Sequence, residues 1–405
     1  MGLPPVTRWP LVLLLLAACA APTQEGQVVI APGATERALL AMRMGYIGFE
    51  RDKVPGQVRQ ASLPGLLPEG GASAGKLGDW VLENGHVVAA VTAIDGTKRG
   101  GRLIDLAKKP KSLDGLGSVE LTVLGQPLIY DSLRTGFDTS TNAAYIEVSG
   151  RVDMRASGGA LLTVSTRYDA APGIEAVLMH THVKIDSGTV DLASERPLLE
   201  EVLTAKGPER GLIDPDESYG ASFGDHGGYI VRALGDPGTV TTASVLPTFR
   251  VPASAAPATG GSLVVTRVLA PLDRADTAAL AVALAKTVGD PVGDVEVRLA
   301  VGRGAHPPKL GSLTFVDAHG KRSSVCSVDA KGEDSHFEAK LPAGEYTVTF
   351  DAPGLASAPA KVRIEGERLA FVTVGVHATE AGVPPVIEPL GCGVAGGSPT
   401  YVTRR

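Results

Sequence analysis

The sequence is poor in aromatic residues, in cysteine, in basic charge and in long apolar runs. Aromatic side chains make up 4% of the 405 residues, and there are three cysteines. The apolar run from Leu11 to Ala18 is less than half of the roughly 20 residues that a helix needs to cross a bilayer, so it is not a transmembrane span. The formal net charge of -6 argues against a nucleic-acid partner, because such a partner calls for a basic patch.

Glycine and proline are abundant, with 50 and 29 copies scattered along the chain. They separate short valine-rich runs, a pattern typical of strands joined by turns. Apolar residues make up 44% of the chain, enough for a buried core. The length suits two or three domains of about 150 residues. The sequence therefore predicts an all-β protein.

The N-terminus has the form of a secretory signal, with Arg8 before a short apolar core that ends in small residues. The stretch LAAC, which ends at Cys19, resembles the lipobox of bacterial lipoproteins. This resemblance implies that residues 1–18 are removed, that Cys19 carries acyl chains such as palmitate, and that residues 19–34 form a tether. The membrane is then a partner through the lipid anchor. Ala20 after the cysteine implies a cell-envelope location at the outer membrane; the alternative is a plain signal peptide with an incidental cysteine.

Strand-like runs fill residues 35–272, which we interpret as one large β-sandwich domain. The clearest local signal is DWVLENGHVVAAV, in which two apolar runs flank Asn84-Gly85. This dipeptide tolerates the positive φ angles of a type I′ turn, so the sequence predicts a tight β-hairpin. The other predicted strands are 118–124, 143–152, 160–168, 175–185, 228–234 and 260–270.

A helix is predicted within residues 273–290, where it links two domains. Leu280 and Leu284 recur at the helical spacing, Asp276 can cap the start, and Gly289 can end the helix. Residues 292–378 return to strands with regularly spaced turns, which suits a small sandwich of about seven strands. Residues 379–405 form a tail rich in glycine and proline.

The segments LPAGEY (341–346) and VDAHGK (316–321) resemble two turns of carboxypeptidase-regulatory-like domains, which are transthyretin-type, immunoglobulin-like β-sandwiches. The resemblance implies a supporting or recognition domain without catalytic residues. The segment from 78 to 107, which ends in GGRLIDLA, is similar to the N-terminal region of secreted carbaryl-hydrolase-like metallohydrolases of the polymerase-and-histidinol-phosphatase class. That resemblance implies an accessory region without the catalytic metal barrel. The long strand series also resembles the supersandwich of sugar mutarotases, from which only the fold is carried over.

Cys326 and Cys392 remain once Cys19 is lipidated. An exported protein occupies a compartment where disulfides persist. The two cysteines either pair, which would tie the tail to the preceding domain, or stay as thiols, and the sequence leaves both open.

Two histidines form the stretch MHTHV. On a strand, His180 and His182 point to the same face, as half of a metal site would. Val177, Met179, Val183 and Ile185 share the opposite face, which we predict to be the core face. Lys184 beside the histidines, and Leu178 where metal barrels of the DxHxH type have aspartate, favour a polar sheet face over a metal site. A curved sheet would make this face a binding groove.

The loop DPDESYGASFGDHGGY is the second candidate site, with Asp225 and His226 among its carboxylates and glycines. Oxygen ligands on a flexible loop suit Ca²⁺, but the spacing fits no DxDxDG loop, and solvated turns are commoner. The sequence contains no phosphate-binding loop of the GxxxxGK[ST] type.

These observations favour a non-enzymatic binding or scaffolding protein of the cell envelope, with a glycan or an envelope protein as its ligand and without a cofactor. One alternative is a metal-dependent hydrolase or a mutarotase-like sugar enzyme, which requires His180, His182, Asp225 and His226 to meet in one cleft. Another is an accessory subunit of a separately encoded hydrolase.

Overall fold

The computed structural model describes residues 54–378, apart from 69–72, 110–113, 115, 205–209, 215–218, 224–227, 235–238, 244–245, 273, 275, 303–309, 330–335, 353 and 367. Within this part nearly all regular structure is β-strand, which confirms the predicted all-β class. Its helices are one α-helix and three single-turn 3₁₀ helices, Pro64–Leu66, Arg155–Ser157 and Ala253–Ala255. None of these described helices is long and apolar enough to span a bilayer.

The first four strands form an antiparallel sheet in chain order, which we call the N-terminal sheet. Its strands are β1 (Gln57–Gln60), β2 (Trp80–Glu83), β3 (Val87–Val91) and β4 (Leu103–Lys108).

The next thirteen strands are β5 (Ser118–Val123), β6 (Gln126–Pro127), β7 (Tyr130–Asp138), β8 (Ala143–Asp153), β9 (Leu161–Ala170), β10 (Val177–Ser187), β11 (Leu199–Thr204), β12 (Arg210–Asp214), β13 (Tyr219–Phe223), β14 (Gly228–Leu234), β15 (Thr239–Ala243), β16 (Leu246–Val251) and β17 (Ser262–Leu272). Eight of them form the long sheet, in the order β12-β13-β14-β17-β10-β9-β8-β7. The other five form the short sheet, in the order β15-β16-β11-β5-β6.

One continuous core lies on the inner face of the long sheet. It joins side chains of the N-terminal sheet such as Leu106, of the short sheet such as Phe249, and of the long sheet such as Met179. Burying this apolar surface is the main stabilising force of the sandwich.

The helix α1 (Thr277–Val288) follows the long sheet, and the features that predicted it are all present. The side chain of Asp276 accepts a hydrogen bond from the amide of Ala279 as an N-cap, and Gly289 ends the helix in the left-handed conformation. Leu280 and Leu284 pack on one half of the outer face of the long sheet, against Leu178 and Val268. In the described structure, the helix does not cover the rest of this face, over β7, β8, β9 and the part of β10 from His180 onwards.

The second sandwich contains eight strands in the described residues, where the sequence predicted about seven. They are β18 (Val292–Val301), β19 (Leu310–Asp317), β20 (Arg322–Asp329), β21 (His336–Pro342), β22 (Gly344–Asp351), β23 (Leu355–Ser357), β24 (Ala360–Ile364) and β25 (Leu369–Ala378). They form two four-stranded sheets, β21-β18-β25-β23 and β20-β19-β22-β24, and the pair β18–β25 is parallel. Val295, Val297 and Leu299 alternate with exposed or half-buried residues along β18 and are buried between these sheets.

The hairpin at Asn84 is present, but the predicted turn type is wrong. Strands β2 and β3 pair as expected, while neither Asn84 nor Gly85 has a positive φ angle. Instead, Oδ1 of Asn84 accepts hydrogen bonds from the amides of His86 (2.7 Å) and Val87 (2.9 Å), so the side chain closes the turn. Its Nδ2 donates to the carbonyls of Ala171 and Ile174 between β9 and β10, which fixes the hairpin to the long sheet.

A turn with two positive φ angles occurs where the sequence did not indicate one. Leu124 (φ 49°) and Gly125 (φ 77°) join β5 to β6 as a two-residue loop, the geometry of a type I′ turn. Leucine rarely adopts this conformation because its Cβ crowds the backbone. Leu124 is buried in the main core, and this burial offsets the backbone strain.

Candidate functional site

Both histidines of the MHTHV stretch lie on β10 and point to the outer face of the long sheet. Val177, Met179 and Val183 are buried in the main core, which confirms the predicted core face. His180 and His182 are half-buried on the opposite side, beside the exposed Lys184.

The uncovered half of the outer face carries a regular arrangement of polar side chains. One line of cross-strand partners runs Arg134, Glu147, Arg167, His180, Thr266, and the neighbouring line runs Ser132, Ser149, Ser165, His182. Tyr145 and Asp169 form a third pair of partners on β8 and β9. We call these residues, together with Asp138, the polar face.

The charged groups of the polar face are paired with each other. Arg134 on β7 donates to both carboxylate oxygens of Glu147 on β8, at 2.8 Å each. Arg167 donates to Oδ1 of Asp169 from Nη2 (2.6 Å) and Nε (2.8 Å) and to Oδ2 from Nε (3.0 Å), so both carboxylate oxygens are engaged, and its Nη2 lies 3.5 Å from Asp138. A bidentate guanidinium–carboxylate pair fixes both side chains in one orientation.

Tyr145 is held in place from both sides. The guanidinium carbon of Arg167 lies 4.1 Å from the centre of its ring, a cation–π contact. The ring also lies directly against the backbone of β7 at Gly136. A side chain at this position would overlap the ring, since an added Cβ would lie 2.8 Å from Cε1 of Tyr145. Its ring is therefore not free to stack on a sugar.

Asp169 and His180 have shifted titration properties. Burial raises the pKa of Asp169 to about 6, although Arg167 acts in the opposite direction. Burial lowers the pKa of His180 to about 4, and Arg267 and Arg167 add to this shift. His180 is therefore neutral at pH 7, and its Nε2 lies 3.6 Å from Oδ2 of Asp169, longer than a hydrogen bond.

The two histidines are not part of a larger ligand set in the described structure. The Nδ1 atom of His180 forms a 3.1 Å hydrogen bond with Oγ1 of Thr266. Among the described residues, no group of three or more histidine, cysteine, aspartate or glutamate side chains is placed to hold a metal ion. In the described structure both histidines lie on a polar sheet face, and the metal site stays an untested alternative.

Several predicted site residues lie outside the described part of the chain: Cys19, Asp225, His226 and Cys392. Cys326 lies on strand β20, but its side chain is not described. The acylation, the ligand site at Asp225 and the disulfide remain predictions.

The sequence interpretation missed the rest of the polar face. Arg134, Glu147, Arg167 and Asp169 were not singled out, and strand β7 was not predicted. The signal was present in β8 and β9, where polar residues alternate with the buried Ile146, Val148, Leu162 and Val164. Extending the face assignment of β10 to its neighbouring strands would have found it.

No protein-family model matches the chain, and no curated protein is similar to it. Solved structures share weak similarity with it. A heparan sulfate lyase HepC mutant from Pedobacter heparinus is 11% identical, with a TM-score of 0.34, and the match covers 63% of this chain and 40% of the lyase. A heparinase III is 8% identical with a TM-score of 0.32, covering 69% of this chain and 43% of that protein. A galactose mutarotase-like protein from Lactobacillus casei is 8% identical with a TM-score of 0.28, and the match covers 48% of this chain and 100% of that protein. The chain spans less than half the length of the first two, and similarities at this level carry no argument about its activity.

Proposed function

We propose that this protein is a non-enzymatic binding protein of the bacterial cell envelope, anchored through Cys19, and that its polar face binds a neutral glycan. The anchor is proposed from the lipobox-like sequence. The binding face is proposed from the arrangement of charged and hydroxyl groups on β7 to β10.

The pairing of charges on the polar face carries the choice of ligand. Arg134 is paired with Glu147, and Arg167 with Asp169. A polyanionic ligand would bring its negative charges next to these carboxylates, and like charges placed together across an interface are costly. Sugar hydroxyls both donate and accept hydrogen bonds, so a neutral glycan can bind next to intact ion pairs.

Because the side chains of the polar face lie on paired strands, the face can bind a ligand without rearranging. Five adjacent strands, β7 to β10 and β17, hold the polar side chains, and the ion pairs fix the long arginine side chains before a ligand arrives. Ordering a side chain on binding costs about 0.5–1.5 kcal/mol, so a surface ordered in advance binds more tightly.

The enzyme alternatives have less support from the described residues. A hydrolase site needs a ligand set or a base placed against a nucleophile. His180 contacts Thr266 and the paired carboxylate of Asp169, and its low pKa makes it a weak proton acceptor at pH 7.

The test is a binding screen of the purified protein against neutral and sulfated glycans, and against envelope extract. A double variant, Arg134→Ala/His182→Ala, removes two side chains from neighbouring lines of the polar face. Arg298→Ala is the matched control, because Arg298 forms a similar ion pair with Glu296 on the second sandwich and its side chain is 63% exposed, against 70% for Arg134.

We expect binding to neutral glycans that falls at least tenfold in the double variant and is unchanged in Arg298→Ala. Selective binding of sulfated glycans would contradict the ligand assignment. Capture of an envelope protein without glycan binding would replace the proposal with the accessory-subunit alternative.

A further inference from the structure

Two buried carboxyl groups face each other where the chain leaves the N-terminal sheet. Asp105 lies on β4 and is 0% exposed, and Asp114 lies at the start of the connection to β5 and is 3% exposed. A short antiparallel bridge between Ala107 and Asp114 holds this connection against β4.

Both carboxylate oxygens of Asp105 accept hydrogen bonds from donor groups. Its Oδ1 accepts from the amide of Ala74 (2.8 Å), and its Oδ2 accepts from the amide of Gly75 (2.7 Å) and from the hydroxyl of Ser73 (3.3 Å). These three groups are donors, so both oxygens of Asp105 are satisfied as acceptors without a proton on this carboxyl group.

Asp114 has a different environment on each oxygen. Its Oδ1 accepts from the amides of Leu106 (2.8 Å) and Leu116 (3.0 Å). Its Oδ2 is buried and has no hydrogen-bond partner in the described part of the chain. An acceptor oxygen buried without a donor is costly, and two facing carboxylates cannot satisfy each other. A proton on Oδ2 turns this oxygen into a donor to Asp105 and removes both penalties.

We propose that Asp105 and Asp114 share one proton in the folded protein, and that this proton holds the β4–β5 connection against the N-terminal sheet. Loss of the proton leaves two buried like charges and loosens the connection. The pair is therefore a pH-sensitive contact between the N-terminal sheet and the short sheet.

The surrounding charges agree with this assignment. Burial raises the pKa of Asp114 to about 7, and the charge of Asp105 contributes further. The other charged groups of the neighbouring elements have contacts elsewhere: Arg102 with Glu120, Lys108 with Glu175, Lys109 with Glu83, and Asp79 with the amides of Lys76 and Ala93.

The direction in which pH changes the stability of the protein follows from the raised pKa of Asp114. Stability from the shared proton is complete below the unfolded pKa of about 3.8 and is lost as the pH rises to about 7. One extra proton bound by the folded state makes the unfolding constant rise about tenfold per pH unit across this range. Asp169, whose pKa is also raised, makes the stability depend on pH in the same direction up to about pH 6. The effect of Asp114 must therefore be measured as the difference between the wild type and a variant of Asp114.

The experiment compares the purified protein with Asp114→Asn. An asparagine keeps the Oδ1 acceptor and donates from Nδ2 to Asp105 at every pH. Between about pH 4 and pH 7, we expect the unfolding free energy of the variant to change with pH by one proton less than that of the wild type. We also expect the amides of Leu106 and Leu116 in the variant to be equally protected from hydrogen exchange at pH 5 and pH 8. Asp105→Asn, which places an amide among three donors, is expected to be destabilised at both pH values.

A carboxyl-carbon NMR titration of the wild-type protein gives an independent readout. An aspartate that titrates near pH 7 and disappears in Asp114→Asn is expected. Equal slopes in the two proteins, no aspartate titrating above pH 5 other than Asp169, or a wild-type slope that changes when EDTA removes a bound cation would overturn the proposal.

Discussion

Arg267 and Glu201 form an ion pair in the middle of the first sandwich, where it joins the long sheet to the short sheet. Both side chains are fully buried, and Nε of Arg267 lies 2.8 Å from Oε2 of Glu201. The guanidinium also donates to Oγ1 of Thr181 (2.8 Å) and to the carbonyl of Val265 (3.0 Å), and it lies over the ring of Phe249. A charged pair at this depth is tolerated because nearly all of its polar atoms have partners.

Removing one partner of this pair should be far more damaging than removing both. Glu201→Ala leaves a buried guanidinium without its counterion, and we expect it to lose about 3–5 kcal/mol of unfolding free energy. Arg267→Met/Glu201→Leu leaves no buried charge and should lose much less. Urea denaturation gives both values, with Glu365→Ala as the control, because the exposed pair of Glu365 with Arg368 is worth less than about 1 kcal/mol. If the single and double variants lost equal unfolding free energy, an unpaired buried charge would not be the cause of the loss, which would contradict this prediction.

Glu175 should protect the protein against acid. It contacts Lys286 of helix α1 and Lys108 of β4, so it links three parts of the structure. Burial opposes its ionisation, but the two lysines outweigh this effect and lower its pKa to about 2. A lowered folded pKa contributes stability above the unfolded value of about 4.5 that is lost as the pH falls towards 2.

Glu175→Gln should therefore lose on the order of 2 kcal/mol at pH 6 and little at pH 2.5, as measured by urea denaturation across this range. Glu195→Gln, at an exposed position, is the control and should behave as wild type. A Glu175→Gln deficit that is the same at pH 2.5 and pH 6 would contradict the assigned role.

The stability of the protein should depend on the side chain of Asn84 and not on a positive φ angle at this position. Its amide makes four hydrogen bonds in a fully buried position, two to its own hairpin and two to the β9–β10 connection. We expect both Asn84→Ala and Asn84→Gly to lose about 3 kcal/mol in thermal or urea unfolding. If the turn depended on positive φ angles, Asn84→Gly would be as stable as wild type.

The lipobox-like sequence predicts a lipid on Cys19. In cells fed labelled palmitate, the wild-type protein should be labelled and should sediment with membranes, whereas Cys19→Ser should be unlabelled. Labelling that persists in Cys19→Ser would place the acyl chain elsewhere, and an unlabelled wild-type protein would favour a plain signal peptide.

Local patterns in the sequence predicted much of the fold. Strand-like runs separated by turns identified β8, β9, β10, β14 and β17, and the capping residues Asp276 and Gly289 identified helix α1. The pattern also assigned the correct faces of β10, because residues two apart on a strand share a side. Strand β7 was missed because, as an edge strand, it carries many exposed residues and no regular apolar alternation.

Features that depend on distant residues could not be read in the same way. Asn-Gly indicates a type I′ turn in isolation, but Asn84 finds hydrogen-bond partners about 90 residues away, and these decide its conformation. His180 bonds to Thr266 on β17 and lies near Asp169 on β9, and no local rule gives the order β17-β10-β9 in the sheet. The sequence therefore identified two histidines on a polar face without the ion pairs that surround them.

The most direct test of the binding face is to block it with one bulky side chain. Ser165 lies on the polar face between His182 and Ser149, and Thr373 lies exposed on strand β25 of the second sandwich. Binding of a neutral glycan should fall at least tenfold in Ser165→Trp and stay at the wild-type value in Thr373→Trp. Undiminished binding in a folded Ser165→Trp protein would contradict the account and place the ligand on another surface.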